Sequence, residues 1–144
     1  MHKKAAADQG EVVVLCCERA LKKGELGQEE RLESGNLTVR SAIIPCSSKV
    51  EVSYLLRILE DGADGVEVIA CPDGKCKFLV GNVRAERRVE YAKHLLERVG
   101  MGAGRLGITR AEGLSRKDVV AIAEKRAEQS SAFGPNPMKE ERNR

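Results

Sequence analysis

The chain has no tryptophan, and only two phenylalanines and two tyrosines among its 144 residues. With so few rings, a stacking platform for single-stranded nucleic acid gets no support, and any core must be aliphatic. A surplus of one charge is also missing. Twenty-five Lys and Arg are interleaved with 22 Asp and Glu, for a net +3, so no basic stripe for duplex binding stands out. No apolar run approaches the roughly 18 residues of a membrane span. The first ten residues, MHKKAAADQG, lack the apolar segment of a secretory signal. The expectation is a cytoplasmic protein whose partners include neither nucleic acid nor membrane. Catalytic groups are scarce as well. His2 lies in the polar arm and His94 on a charged helical stretch, where histidine is usually a surface residue. The loop CCERALKKG after the first apolar run lacks the Gly-x-Gly-x-x-Gly of a dinucleotide site. No general-base constellation is present, and no chemistry on an organic substrate is expected.

What the chain does have is five cysteines: Cys16, Cys17, Cys46, Cys71 and Cys76. Structural disulfides are rare in the cytoplasm, whereas metal and redox sites are not.

The run Glu11 to Leu15, EVVVL, is β-branched and continuous, as in a strand buried on both faces. Cys16-Cys17 follow it, then room for a helical turn or two to about Lys23. The glycines at 24, 27 and 35, with dense charge between them, leave residues 24–36 unassigned; a helix there would be short and partly exposed. Leu37 to Ile44 reads as a second strand, closed by Pro45. Cys46 comes next, and Ser47 or Ser48 can cap the helix from about Val50 to Asp61. That helix aligns Val52, Leu55, Leu56 and Leu59 on one face. Gly65 to Ala70 is the third strand and runs into Cys71, a Pro-Asp-Gly turn and Cys76. Asn82 can cap a long helix to about Val99 with a stripe of Ala85, Val89, Ala92, Leu96 and Val99. Arg105 to Thr109 is a weaker fourth strand. Ser115 and Asp118 form a capping box for a last helix, with Val119, Ile122 and Ala123 facing inward.

Strands alternating with helices imply right-handed crossovers and a parallel sheet. The fold class is α/β: a three-layer, flavodoxin-like or Rossmann-like domain of three to four strands with flanking helices. Residues 1–10 read as a flexible arm and 11–129 as one domain. Residues 130–144 read as a polar tail, disordered or ordered by a partner.

This topology brings the cysteines together. Parallel strands all end on one edge, and neighbours are about 4.8 Å apart. Cys16-Cys17, Cys46 and Cys71 each follow a strand, and the turn through Pro72, Asp73 and Gly74 can return Cys76 to the same rim. A cysteine taken alone is commonly just a small buried hydrophobe; five at one rim point to a shared site. Structural zinc prefers compact C-x2-C knuckles. Here the only short pair is the C-x4-C of Cys71 and Cys76, and the remaining thiols come from distant loops. All-thiolate ligation so dispersed suits an iron–sulfur centre better, though zinc stays open. The C-x2-C-x2-C run of bacterial ferredoxins is missing. A 2Fe-2S cluster needs four ligands, so one cysteine is spare. Cys16 and Cys17 are the two candidates, because adjacent side chains on an extended backbone point opposite ways. Asn82, Arg84, Arg87 and Arg88, at the start of the next helix, would cushion the negative charge of such a cluster. The competing reading is a structural zinc or thiol-switch module that docks partners through the same rim.

In VVVLCC, IIPCSSKV and GADGVEVIACPDGKCKFLVGNVRAERRVEYAKHLLERVG the chain resembles a known family. It is the delta subunit of methyl-viologen-reducing (F420-non-reducing) hydrogenase, an iron–sulfur protein of heterodisulfide reductase-type complexes. The likeness covers about Val12 to Ile108. It implies a 2Fe-2S electron carrier in an electron-bifurcating or confurcating assembly, working between a catalytic oxidoreductase subunit and a flavoprotein like the large flavin subunit of heterodisulfide reductase. By position, its ligands would be Cys16 or Cys17, Cys46, Cys71 and Cys76. Members often carry C-x-x-C after the first strand; here the line reads Cys16-Cys17-Glu18-Arg19, with arginine in place of the second thiol.

Overall fold

A computed structural model describes residues 10–72 and 81–139. Five strands form one sheet in the order β2-β3-β1-β4-β5: β1 (Gly10–Cys17), β2 (Glu29–Ser34), β3 (Leu37–Ile44), β4 (Gly65–Ala70) and β5 (Leu106–Arg110). β3, β1, β4 and β5 are mutually parallel, and β2 joins the β3 edge antiparallel. Helices α1 (Val52–Glu60), α2 (Gly81–Arg98) and α3 (Arg116–Ser131) flank the sheet, so the expected three-layer α/β domain forms, with five strands in place of three to four and an antiparallel edge strand in a sheet expected to be parallel.

Strand alternation sorts the core into two layers. Val12, Val14 and Cys16 of β1 pack with Val119 and Ala123 of α3. Leu15 packs on the other face with Leu55 and Leu59 of α1 and Val89, Ala92 and Leu96 of α2. Each fully buried Leu or Val contributes about 1.5–3 kcal/mol of transfer free energy, which makes these two layers the main support of the fold. The helical stripes read from the sequence match this packing except at one end. Val99, placed on the buried stripe, is 71% exposed, because α2 has already ended at Arg98.

Residues 24–36, unassigned from the sequence, contain β2. Ser34 pairs with Leu37, so Gly35-Asn36 is a two-residue hairpin turn, and Gly35 takes the left-handed φ of 57° that such turns require.

A buried ion pair ties α3 to the sheet. Glu67 in mid-β4 is 2% exposed; its carboxylate accepts from Arg126 Nε at 2.7 Å and from Thr109 Oγ1 at 2.5 Å. Gly107 lies beside Glu67 in the register. A Cβ there would stand 1.8 Å from Arg126 Nη2, so only glycine leaves room for the guanidinium.

The end of the sheet where β1 starts is knotted around Asp64. Its carboxylate accepts from the Glu11 and Asn136 backbone N–H groups, both at 2.9 Å, and pairs with Lys139 Nζ at 2.5 Å. Buried Arg105 donates to the carbonyls of Met101, Asp64, Phe133 and Gly134. Where the sequence reads as a polar tail from Ser130, the helix runs on to Ser131. The chain beyond it is docked as far as Lys139, with Asn136 2% exposed.

Candidate metal centre

The register carries the cysteines to one end of the sheet. Cys16 is level with Ile43 on β3 and with Ile69 on β4, and Cys17 with Ile44. Cys46 comes two residues after Ile44, and Cys71 two after Ile69. Cys16 and Cys17 are the last two residues of β1 and not part of a following loop. Cys16, Cys17, Cys46 and Cys71 are all at most 2% exposed and share one buried cluster, against which Leu21 and Leu114 pack. Cys76 lies outside the described residues. Among the described residues no three His, Cys, Asp or Glu side chains are grouped closely enough to hold a metal ion.

The four sulfurs have different surroundings. Cys16 donates weakly to the Cys17 carbonyl at 3.6 Å. Burial, and secondarily its neighbour Cys17, push its thiol up to about 12 from an ordinary 9.0, so without a cation Cys16 is a neutral thiol. Cys46 differs: its Sγ accepts from the Ser48 N–H at 3.4 Å and from the Ser48 hydroxyl at 3.2 Å. Two donors aimed at one sulfur match the hydrogen-bonded surroundings of a metal-bound cysteine. The Ser47 hydroxyl, also buried, has no hydrogen-bond partner among the described residues. Four thiols in one buried cluster, one of them accepting two hydrogen bonds, are the donor type an iron–sulfur centre uses.

Neither serine caps α1, as their position had suggested. Cys46 instead caps a single 3-10 turn, Ser47–Lys49, and the residue before α1 is Glu51, which makes no side-chain cap.

Two of the residues expected to cushion a cluster hydrogen-bond to backbone carbonyls near the cysteines. Asn82 is buried in the first turn of α2, and its amide donates to the Cys71 carbonyl at 3.0 Å. Arg88 Nη1 donates to the carbonyls of Ser48 and Val50, the latter at 3.1 Å. Both side chains therefore brace the backbone next to a cysteine. Arg84 and Arg87 are exposed, as are Arg19 and Lys49 in the turns after β1 and β3. His94 is exposed too. Asn82, read from the sequence as the cap of α2, lies inside a helix that already includes Gly81, and its bracing of Cys71, like the bracing by Arg88, was missed from the sequence.

Comparison with known proteins bears on this arrangement. The family model of the methyl-viologen-reducing hydrogenase delta subunit matches residues 12–134. The vhu iron-sulfur subunit of the F420-non-reducing hydrogenase of Methanocaldococcus jannaschii is 30% identical over 129 residues, 89% of this chain and 96% of that one. Its counterpart in Methanopyrus kandleri is 30% identical over 130 residues, covering 90% and 98% of the two chains. One subunit of the ferredoxin:CoB-CoM heterodisulfide reductase of Methanosarcina mazei is 29% identical over 98 residues, which make up 66% of this chain but 12% of that protein. No helix among the described residues is long and apolar enough to cross a membrane.

Proposed function

The chain belongs to the methyl-viologen-reducing hydrogenase delta-subunit family, and from that premise we propose that it is an electron-transfer subunit carrying a 2Fe-2S cluster. The cluster is held by Cys46, Cys71, Cys76 and one of Cys16 and Cys17. The observation that carries this reading is that four cysteines, at the end of β1 and just after β3 and β4, lie in one buried cluster, with a sulfur already accepting two hydrogen bonds. When bound, such a cluster takes up and gives back one electron.

The chain's own residues do the rest. The strand ends carry the thiols to one end of the sheet, Ser48 donates to Cys46, and Asn82 and Arg88 hold the backbone on which Cys71 and the Cys46 turn are mounted. The aliphatic layers around the sulfurs keep water away. Burial also argues against a thiol switch, which needs an accessible thiolate.

The protein passes electrons between a catalytic oxidoreductase subunit, such as a hydrogenase, and a flavin-containing heterodisulfide reductase-like subunit in a cytoplasmic bifurcating or confurcating complex. Support comes from relatives named as hydrogenase subunits and from a similar stretch within a heterodisulfide reductase. The exposed Arg84, Arg87, Arg19 and Lys49 around the same rim make it a basic docking surface.

Anaerobic reconstitution of the full chain with iron and sulfide tests the proposal. Two irons and two acid-labile sulfides per chain are expected, with visible absorbance that bleaches on one-electron reduction. Cys46→Ala and Cys76→Ala should each lose that colour. A colourless protein that binds zinc in place of iron would overturn the reading.

A further inference from the structure

Resting on the proposal that Cys46 ligates an iron–sulfur cluster, we propose that Ser48 sets how readily that cluster is reduced, and that Arg88 acts as the positioning residue that holds Ser48 to its task. Ser48 places two donors on the Cys46 sulfur, its backbone N–H at 3.4 Å and its hydroxyl at 3.2 Å. The contact is built into a turn of three residues, so the hydroxyl stays beside the sulfur.

The turn is itself held from outside. Arg88, on α2 and 40 residues further along the chain, spends Nη1 on the carbonyls of Ser48 and Val50. Its charge is offset by Glu51 at 4.0 Å. A guanidinium that bridges two carbonyls of one turn fixes the direction of the Ser48 backbone, and with it the reach of the hydroxyl.

The electronic consequence follows from charge. An electron added to a thiolate-bound cluster raises the negative charge on its sulfurs, so a hydrogen bond to one of them is stronger in the reduced state than in the oxidised state. Removing the hydroxyl therefore favours the oxidised state. A hydrogen bond to a charged acceptor that changes by one electron's worth of charge shifts the equilibrium by about tenfold, which for a one-electron couple is about 59 mV.

The test is an optical redox titration of the reconstituted full chain, with iron and sulfide counted for every variant. Ser48→Ala and Ser48→Val are expected to load normally and to titrate at a potential about 59 mV below the parent, tenfold easier to oxidise. Ser48→Thr, which keeps the hydroxyl, should stay at the parental potential. Arg88→Gln should shift in the same direction, and the double variant Ser48→Ala/Arg88→Gln should fall no further than Ser48→Ala alone, since both act through one bond. Normal loading with unchanged potential in Ser48→Ala would overturn the proposal. So would failure of Ala and Val to load while Thr loads, which would make Ser48 a purely structural residue. A parent chain that builds no cluster would instead sink the electron-carrier reading itself, so the two failures are distinguishable.

Discussion

Glu67 is an acid in the otherwise apolar strand GVEVIA, and its environment explains why it is tolerated. Arg126 and Thr109 occupy its two oxygens, and Gly107 opens the space for the guanidinium. Breaking a buried pair leaves an uncompensated charge at a cost of about 3–5 kcal/mol. Glu67→Ala is therefore expected to lose that much stability in urea, and Gly107→Ala to approach it by driving out Arg126, both read by circular dichroism at the native metal content. At this scale the sequence was partly legible. The placement of Cys16, Cys17, Cys46 and Cys71 at one end of the sheet followed from strand ends alone, while Cys76 lies outside the described residues. The stretch Arg105 to Thr109, by contrast, read as a weaker strand, because the reason for its Gly107 lies in Arg126, 19 residues away along the chain. Ser47 and Ser48 read as helix caps for a similar reason: local pattern cannot distinguish a serine that caps a backbone N–H from one that donates to the preceding sulfur.

Among the elements, α3 shows its start most plainly. Ser115 accepts from the Asp118 N–H at 3.2 Å, and Asp118 accepts from the Ser115 N–H at 3.0 Å, the reciprocal box that Ser115 and Asp118 announced in sequence. Ser115→Ala should cost about 1 kcal/mol, measured as a lower thermal midpoint. Hydrogen bonds from the backbone and side chain of Ser115 hold the Asp118 carboxyl below its ordinary value. Because the folded value is the lower one, the stabilisation is present above the ordinary carboxylate range and is lost as the pH falls through the folded value. Amide protection in the first turn of α3 should therefore fall on acidification in the parent and stay constant in Asp118→Asn, as read by hydrogen exchange. β2 stayed hidden because EERLES buries only Leu32 and carries charge at an edge, where charge guards against stray pairing. Its one sequence signal was the Gly35-Asn36 pair between two paired residues. Gly35→Ala should loosen this hairpin by about 1 kcal/mol in a denaturant titration, since φ there is left-handed.

On the scale of the whole molecule, the sheet has two unlike ends. One carries the sulfurs, with Arg19 and Lys49 exposed in the turns after β1 and β3 and Arg84 and Arg87 exposed near the start of α2. If the partner subunit docks there, added salt should weaken the complex, and Arg84→Glu/Arg87→Glu should cost about 1 kcal/mol of affinity, measured by titration calorimetry with the co-purified flavoprotein. The parallel run of β3, β1, β4 and β5 and the position of Cys16, Cys17, Cys46 and Cys71 at their carboxyl ends were readable in advance, because α/β connectivity dictates both. The docking of the segment up to Lys139 was not, since no apolar period marks it: Asn136 is held by hydrogen bonds to Leu59 and Ala63 carbonyls and to Asp64.

Asp64 grips both the first strand, through the Glu11 N–H, and the last docked residue, through Lys139. Incoming and outgoing polypeptide are thereby moored side by side, at the pole opposite the thiols. A cross-link engineered between the stretches around Glu11 and Lys139 would therefore close the sheet at the end away from the sulfurs.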